Sequence, residues 1–251
     1  MLKTENISKY YDDKAVVESI SLEIPKGKIT SFIGSNGAGK STLLAVMSRL
    51  LKQTEGQVYL HNTPIDSIND NSLAKQISIL KQSTHINIRL TVRELVEFGR
   101  FPYSGGRLTR EDREMVERAI DYMDLRESEG KDISTLSGGQ KQRAFIAMII
   151  AQDTDCIMLD EPLNNLDMKH SVQIMKTLRR LADSGKTILL VIHDINFASC
   201  YSDYIAAMKD GKLVKFGSVD EIIRDDTLQG IFDMGFNVHE MNGSKICLYY
   251  T

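Results

Sequence analysis

Residues 34–41 read GSNGAGKS, and their spacing matches the phosphate-binding loop pattern GxxxxGK[ST]. The apolar, β-branched run Ile29–Ile33 precedes this loop and predicts a strand. Apolar residues at helical spacing follow it, up to Leu51. The order of strand, glycine loop and helix is the first half of a βαβ unit, so we expect an α/β fold built around this loop.

The glycines of this loop let successive backbone N–H groups face a phosphate, and the N-terminus of the following helix adds a positive dipole. Lys40 would bring its charge to the β- and γ-phosphates, and Ser41 would offer its hydroxyl to Mg²⁺. A glycine-rich turn with a solvated lysine is the alternative. The residues predicted to hold the phosphates are Gly34, Ser35, Asn36, Gly37, Ala38, Gly39, Lys40, Ser41 and Thr42.

A second apolar strand, residues 156–159, ends in the adjacent carboxylates Asp160 and Glu161. Asp160 would hold Mg²⁺ through water, and Glu161 would polarise the attacking water. The two carboxylates could instead cap a helix. His193 ends another apolar strand; if both strands are parallel, their carboxyl ends open on one crevice and His193 comes near the γ-phosphate. Taken alone, His193 is a surface histidine.

Composition restricts the classes of partner. The chain has 251 residues, of which 42% are hydrophobic and 26% charged, with a net charge of -3, so it has no general basic surface for nucleic acid. Its longest apolar run, residues 144–151, is far shorter than the roughly 20 residues that span a bilayer. The amino-terminal residues do not resemble a secretory signal, and the three cysteines are widely spaced, so we expect the chain in a reducing cytosol.

Patterns further along the chain organise the rest of the fold. Two helical stretches within residues 91–126 are separated by a predicted breaker at 101–106, and Thr109 with Asp112 predicts a capping box. A helix over about 168–182 would connect buried parallel strands. In the tail, Asp210-Gly211 and Asn242-Gly243 predict two hairpins, and Ser218 opens a short helix between them.

Residues 136–140 read LSGGQ, where Ser137 and Gln140 have the spacing of a capping box, so a plain helix start explains them as well. Together with GSNGAGKS before it and CIMLDE after it, however, LSGGQ resembles the signature of the ATP-binding cassette ATPases, and the resemblance covers essentially the whole chain. It implies a P-loop NTPase (RecA-like) core with a parallel central sheet, an antiparallel β subdomain and an inserted α-helical subdomain. Residues 1–251 would form one domain, with 1–88 and 154–251 as core and 89–153 as the helical subdomain.

The same resemblance assigns further residues to the nucleotide. Tyr11, with Val16 after it, resembles the aromatic residue that stacks on adenine, although a tyrosine filling core space is the alternative. Gln82 resembles the glutamine that touches Mg²⁺ and couples to a membrane subunit, with Lys81 where a proline often stands. His193 matches the switch histidine.

The resemblance also implies a second copy of the chain. Residues 165–167 would be the D-loop at the interface between the copies. The signature helix offers its N-terminus to an anion, yet we expect it to lie far from its own P-loop. ATP would then join two copies head to tail, and hydrolysis would release them. The signature residues expected to face the γ-phosphate of the second copy are Ser137, Gly138, Gly139 and Gln140.

Two weaker motifs indicate the type of transporter. Residues 99–103, GRFPY, resemble the GRxPY segment of ATPases serving importers of iron-siderophores, haem and vitamin B12, and residues 163–170 resemble the iron-siderophore branch. A simple turn and a D-loop variant would explain them equally. The expectation is an ATPase using ATP and Mg²⁺ at the cytoplasmic face of the membrane, with two permease subunits and, indirectly, an extracytoplasmic siderophore-binding protein. Alternatives are another cargo (haem, vitamin B12, a metal ion) or an ATPase acting on nucleic acid, which the charge and length disfavour.

Overall fold

The computed structural model describes residues 1–82 and 89–250. Its strands are β1 (Leu2–Tyr11), β2 (Lys14–Ile24), β3 (Ile29–Ile33), β4 (Glu55–Leu60), β5 (Thr63–Pro64), β6 (Ile77–Leu80), β7 (Cys156–Asp160), β8 (Thr187–Val191), β9 (Tyr204–Lys209), β10 (Lys212–Ser218), β11 (Asn237–Met241) and β12 (Ser244–Leu248). Its α-helices are α1 (Lys40–Met47), α2 (Asp70–Ala74), α3 (Val92–Phe98), α4 (Phe101–Ser104), α5 (Arg110–Tyr122), α6 (Gly138–Ala151), α7 (Met168–Asp183), α8 (Ile195–Tyr201), α9 (Val219–Ile222) and α10 (Asp225–Phe232).

The chain divides into two compact units, described separately below. The first comprises Met1–Ile68 and Ala182–Thr251, and the second comprises Asn69–Leu181. The helical subdomain expected at 89–153 falls inside the second unit, and residues 83–88, at its expected boundary, lie outside the described residues.

The first unit contains two sheets. One is antiparallel, in the order β2-β1-β4-β5. In the other, β3 pairs in parallel with both β8 and β9, and β10 pairs antiparallel with β9. Every residue of β3 and of β8 is buried, as expected for apolar runs at the centre of a covered parallel sheet. The predicted α/β fold with an additional antiparallel sheet is confirmed.

The tail of the first unit follows the predicted turn chemistry. Asp210-Gly211 joins β9 to β10, and Asn242-Gly243 joins β11 to β12. All four residues have positive φ, between 49° and 78°, which is the conformation that two-residue hairpins require. A capping box from Ser218 to Glu221 opens α9, so both hairpins and the short helix are confirmed.

The second unit is a parallel strand pair with helices. β6 pairs in parallel with β7, whose five residues are all buried. Capping boxes begin α3 at Thr91, α5 at Thr109 and α6 at Ser137, because each side-chain oxygen accepts a hydrogen bond from the backbone three residues on. The capping box predicted at Thr109 and the helix predicted after Ser137 are confirmed.

Residues 99–103 form a tightly packed corner in this unit. A Cβ on Gly99 would stand 2.2 Å from the carbonyl oxygen of Met148, so α3 ends against α6 at a distance that only glycine allows. Arg100 is buried: its Nε donates to Asp112 Oδ1 at 2.8 Å, and its guanidinium lies 4.0 Å from the centre of the Tyr103 ring. The GRFPY motif at residues 99–103 therefore fixes this corner of the second unit.

Two predicted boundaries were wrong. Helix α1 ends at Met47, and Leu50 lies beyond it because Arg49 adopts a positive φ of 61°. The Arg49 side chain instead donates to the carbonyl oxygen of Ile65 at 2.9 Å. The breaker at 101–106 contains the single helical turn α4, which begins with Pro102 in its first turn and ends at Gly105 with φ 54°.

The buried Arg100–Asp112 pair generates a stability prediction. Asp112→Ala should lower the free energy of unfolding by about 3–5 kcal/mol, because it leaves the Arg100 charge buried without its partner. Burial alone would raise the pKa of Asp112, but hydrogen bonds from Thr109 and Arg100 outweigh it and lower this pKa. The contribution of the pair is thus complete above the ordinary value of 3.8 and is lost as the pH falls through the lowered pKa.

Urea denaturation at pH 7 and at decreasing pH measures this effect. The matched control is Glu114→Ala, on the same helix, since Glu114 pairs with Arg110 on the exposed surface. The control should change the unfolding free energy by less than about 1 kcal/mol. Equal effects of the two variants at pH 7 would contradict the role of the buried pair.

Candidate functional site

The glycine loop is held by backbone contacts in the first unit. It runs from the end of β3 to the start of α1, as predicted. A Cβ on Gly34 (φ 140°) would lie 2.0 Å from the Met208 carbonyl oxygen, and one on Gly39 (φ 92°) would lie 2.4 Å from that of Val16. Neither position accepts a side chain, so these glycines let the loop pack directly against neighbouring backbone.

Lys40 extends back over this loop. It is 5% exposed, and its Nζ donates to the carbonyl oxygens of Gly34 at 2.8 Å and Ser35 at 2.9 Å. The ammonium group is thereby held beside the loop. This position is typical of a lysine that binds phosphate and not of a solvated lysine. Around it, Ser35, Asn36 and Gly37 are exposed, and Ser41 and Thr42 are half-buried in the first turn of α1.

Tyr11 and Val16 lie on the adjacent strands β1 and β2. The Val16 carbonyl faces Gly39, which brings this predicted residue against the loop. Tyr11 is 50% exposed at the end of β1, so it does not fill core space, and Lys9 Nζ stands 5.4 Å from its ring centre. An exposed ring at a strand end is available for stacking.

His193 also lies in the first unit. Strand β8 ends at Val191, two residues earlier than predicted, and His193 is exposed. The next residue, Asp194, caps α8 by accepting hydrogen bonds from the backbone N–H of Asn196 at 2.8 Å and Phe197 at 3.2 Å. This cap fixes the backbone directly after His193.

The second unit brings the carboxylates together with Gln82. Asp160 ends β7 with 8% exposure, and Glu161 follows with a positive φ of 52°. Gln82 Nε2 donates to Glu161 Oε2 at 2.7 Å, which joins two predicted site residues that are 79 positions apart. A third carboxylate, Asp167, precedes α7. Its Oδ1 accepts a hydrogen bond from the backbone N–H of His170 at 2.8 Å, and this bond lowers the pKa of Asp167.

The signature residues begin α6. Ser137 Oγ accepts from the Gln140 backbone at 3.2 Å, and Gln140 Oε1 accepts from the Ser137 backbone at 3.0 Å. Ser137 and Gln140 therefore do form a capping box that begins the helix, but a helix start alone does not explain the two glycines. A Cβ on Gly139 would lie 3.3 Å from Leu166 Cδ2 and 3.4 Å from the Asn165 carbonyl oxygen, so the glycines let the D-loop residues approach the helix.

Two contacts at this site were missed by the sequence analysis. Asn164 Nδ2 donates to Glu161 Oε2, the oxygen that also accepts from Gln82. Gln142 Nε2 on α6 donates to the carbonyl oxygen of Pro162 at 3.1 Å. The signal for Asn164 was its place three residues after Glu161, where a polar side chain can reach back across a turn.

The predicted metal ligands all carry oxygen donors. Ser41, Gln82 and Asp160 offer a hydroxyl, an amide carbonyl and a carboxylate, and oxygen donors of this kind suit Mg²⁺.

Over the residues that the structure describes, no group of three or more His, Cys, Asp or Glu side chains could hold a metal ion. Within the same ranges, no helix combines the length and apolar character that crossing a bilayer requires.

Comparisons with known proteins cover both units. A family model described as ABC transporter matches residues 17–164. The chain is 56% identical over 252 residues to the petrobactin import ATP-binding protein YclP of Bacillus subtilis (strain 168), with 100% of both chains covered. It is 41% identical to the iron(3+)-hydroxamate import ATP-binding protein FhuC of the same organism, covering 99% of this chain and 94% of FhuC.

A solved structure agrees with these sequence similarities. The dimeric structure of MJ0796, a bacterial ABC transporter cassette, matches with a TM-score of 0.80 and 32% identity, covering 87% of this chain and 99% of that one.

The packing of the glycine loop generates a prediction with an internal control. Gly39→Ala should lower the unfolding free energy by about 3 kcal/mol, because it adds a backbone clash to the strain of a left-handed alanine. Gly37→Ala introduces the same strain, since Gly37 has φ 79°, but no atom stands within 4 Å of its added Cβ. This control should cost about 1 kcal/mol. Thermal or urea unfolding measures both, and equal losses would contradict the close backbone approach.

Proposed function

The chain belongs to the ABC transporter family, and from that premise we propose that it energises the uptake of a ferric siderophore through separate permease subunits. It is the ATP-hydrolysing subunit of an importer. The observation that carries the proposal is full-length similarity to a petrobactin import ATP-binding protein in a chain that also has the glycine loop, the Asp160–Glu161 pair and the LSGGQ signature.

The nucleotide is proposed to bind first to the glycine loop of the first unit. Lys40 would turn from the two carbonyl oxygens that it contacts to the β- and γ-phosphates, where its charge is better compensated. Backbone N–H groups of the loop would hold the remaining phosphate oxygens. Tyr11 would stack on the adenine beside Val16, because its ring is exposed at the end of β1.

Hydrolysis is proposed to depend on Glu161. A water oxygen bonds to the γ-phosphorus while the bond from that phosphorus to the oxygen bridging to the β-phosphate breaks, giving ADP and inorganic phosphate. Glu161 accepts the proton of the water. His193 would contact the γ-phosphate, and Ser41, Gln82 and Asp160 are the proposed Mg²⁺ ligands. When bound, Mg²⁺ would neutralise phosphate charge.

The active form is proposed to be a homodimer. The residues Ser137, Gly138, Gly139 and Gln140 would face the γ-phosphate bound by the partner copy. The half-exposed N-terminus of α6 offers backbone N–H groups and a dipole to such an anion, and the related cassette MJ0796 is dimeric. ATP binding would close the dimer, and hydrolysis would open it.

A groove of about 260 Å³ in the second unit is the proposed contact for a permease subunit. Its walls carry Phe98 and Phe101, which are 52% and 57% exposed, beside the carboxylates of Glu94 and Glu97. Two large exposed aromatic rings next to a concavity are typical of a protein interface. A short helix with an apolar face and a basic residue would fit them.

Cargo selection is proposed to belong to the other subunits. YclP and FhuC carry names that refer to petrobactin and to iron(3+)-hydroxamate, yet both match this chain over nearly its full length. The ATPase would work at the cytoplasmic face of the membrane, attached through two permeases that receive the siderophore from an extracytoplasmic binding protein. Haem, vitamin B12 or a metal ion is the second candidate cargo; residues 99–103 also resemble the GRxPY segment of ATPases that serve importers of haem and vitamin B12.

Dimer formation tests the nucleotide site. Glu161→Gln should form an ATP-stabilised dimer in size-exclusion chromatography with Mg·ATP, because it binds ATP but hydrolyses it slowly. Adding Lys40→Ala to this variant should return it to a monomer, since the loop loses its charge for the phosphates. A Glu161→Gln protein that binds ATP and stays monomeric would contradict the dimer mechanism.

Site-specific photo-crosslinking in cells tests the groove. A benzophenone side chain at Phe101 should crosslink to a polytopic membrane protein that mass spectrometry identifies as an importer permease. The matched control carries the same group at Tyr122, an exposed aromatic position on α5 that is 39% exposed and does not line the groove. Equal permease crosslinking from both positions, or none from Phe101, would contradict the proposed contact.

A further inference from the structure

We propose that Asn164 is a positioning residue for hydrolysis, holding the carboxylate of Glu161 in the orientation that accepts the water proton. The inference rests on the proposed role of Glu161 as the base. It adds a residue that does not touch the nucleotide and acts through Glu161.

Asn164 closes the turn that follows β7 by two hydrogen bonds to one residue. Its backbone N–H donates to the carbonyl oxygen of Glu161 at 3.3 Å, and its side-chain Nδ2 donates to Glu161 Oε2. Glu161 has a φ of 52°, a conformation that non-glycine residues adopt rarely and at a cost. Asn164 thus ties the side chain of Glu161 to the strained backbone that carries it.

The same carboxylate oxygen has a second donor from a distant part of the unit. Gln82 Nε2 lies 2.7 Å from Glu161 Oε2, so two amide groups converge on one oxygen. Hydrogen bonds from two donors fix the rotation of a carboxylate group. Both donors are uncharged amides, so they orient the carboxylate without placing a positive charge beside it. A lysine or an arginine at the same place would neutralise the base.

The turn is also anchored from outside. Gln142 on α6 donates to the carbonyl oxygen of Pro162, the residue directly after Glu161, at 3.1 Å. Further on, Leu166 N–H donates to the Leu163 carbonyl oxygen at 3.3 Å. These bonds hold the backbone without the Asn164 side chain, so removing that side chain should leave the turn in place and take away one of the two amide hydrogen bonds that orient the Glu161 carboxylate.

Steady-state and single-turnover ATP hydrolysis by the purified full-length protein test the inference. Asn164→Ala should lower kcat about tenfold, a part of the 10²–10⁴-fold that a general base contributes, while KM for ATP stays within about twofold. The matched control is Asn71→Ala, an exposed asparagine on α2, which should leave both constants unchanged. Wild-type kcat in Asn164→Ala would overturn the proposal.

A double-mutant cycle separates positioning from a general structural effect. In a Glu161→Gln background, Asn164→Ala should cause no further loss of single-turnover rate, because the residue acts only through Glu161. An additional tenfold loss in that background would overturn the proposal. If Glu161→Gln itself hydrolyses ATP at the wild-type rate, the proposed function of Glu161 fails instead, and the two failures are distinguishable.

The near-isosteric Asn164→Asp variant gives a readout that a structural role would not move. Asn164→Asp keeps the size of the side chain but cannot donate to the Glu161 carboxylate, so its kcat should fall at least as far as that of Asn164→Ala while KM for ATP stays within about twofold. Asn164→Ser, which keeps a shorter donor, should retain more activity than Asn164→Ala. Wild-type kcat in a folded Asn164→Asp protein would contradict the role of the donated hydrogen bond.

Discussion

The first unit depends on the direct contact between the glycine loop and neighbouring backbone. Gly34 approaches the carbonyl oxygen of Met208 on β9, and Gly39 approaches that of Val16 on β2. Since no side chain fits at either point, both ends of the loop are fixed by strands of the two sheets. Lys40 can then turn back over a loop of defined shape, where the carbonyl oxygens of Gly34 and Ser35 hold its ammonium group.

The sequence predicted those parts of the fold that depend on local spacing. The strand before the glycine loop, the buried strand that leads to Asp160 and the capping box at Thr109 each follow from residues within one turn or one strand. The Asp210-Gly211 hairpin follows from two residues that tolerate positive φ. Such features need no knowledge of distant contacts, because propensity and burial pattern agree.

The parts that could not be predicted depend on contacts between residues far apart in the chain. Leu50 continues the helical period of α1, but Arg49 leaves the helix and donates to the carbonyl of Ile65. Similarly, the hydrogen bond from Gln82 to Glu161 joins residues 79 positions apart. No window of sequence contains both partners of such contacts, so tertiary packing overrides the local period there.

The GRFPY segment shows why a family motif and a physical role need separate arguments. Three of its residues serve the fold: Gly99 allows the close approach to α6, Arg100 pairs with Asp112 in the interior, and Tyr103 stacks on the guanidinium. Phe101, in contrast, is 57% exposed. An aromatic ring costs solubility on a surface unless a partner covers it, and the buried residues of the corner hold it in one place. Gly99, Arg100 and Tyr103 therefore hold the segment rigidly. The exposed ring of Phe101 is the part of the segment that is available to a partner.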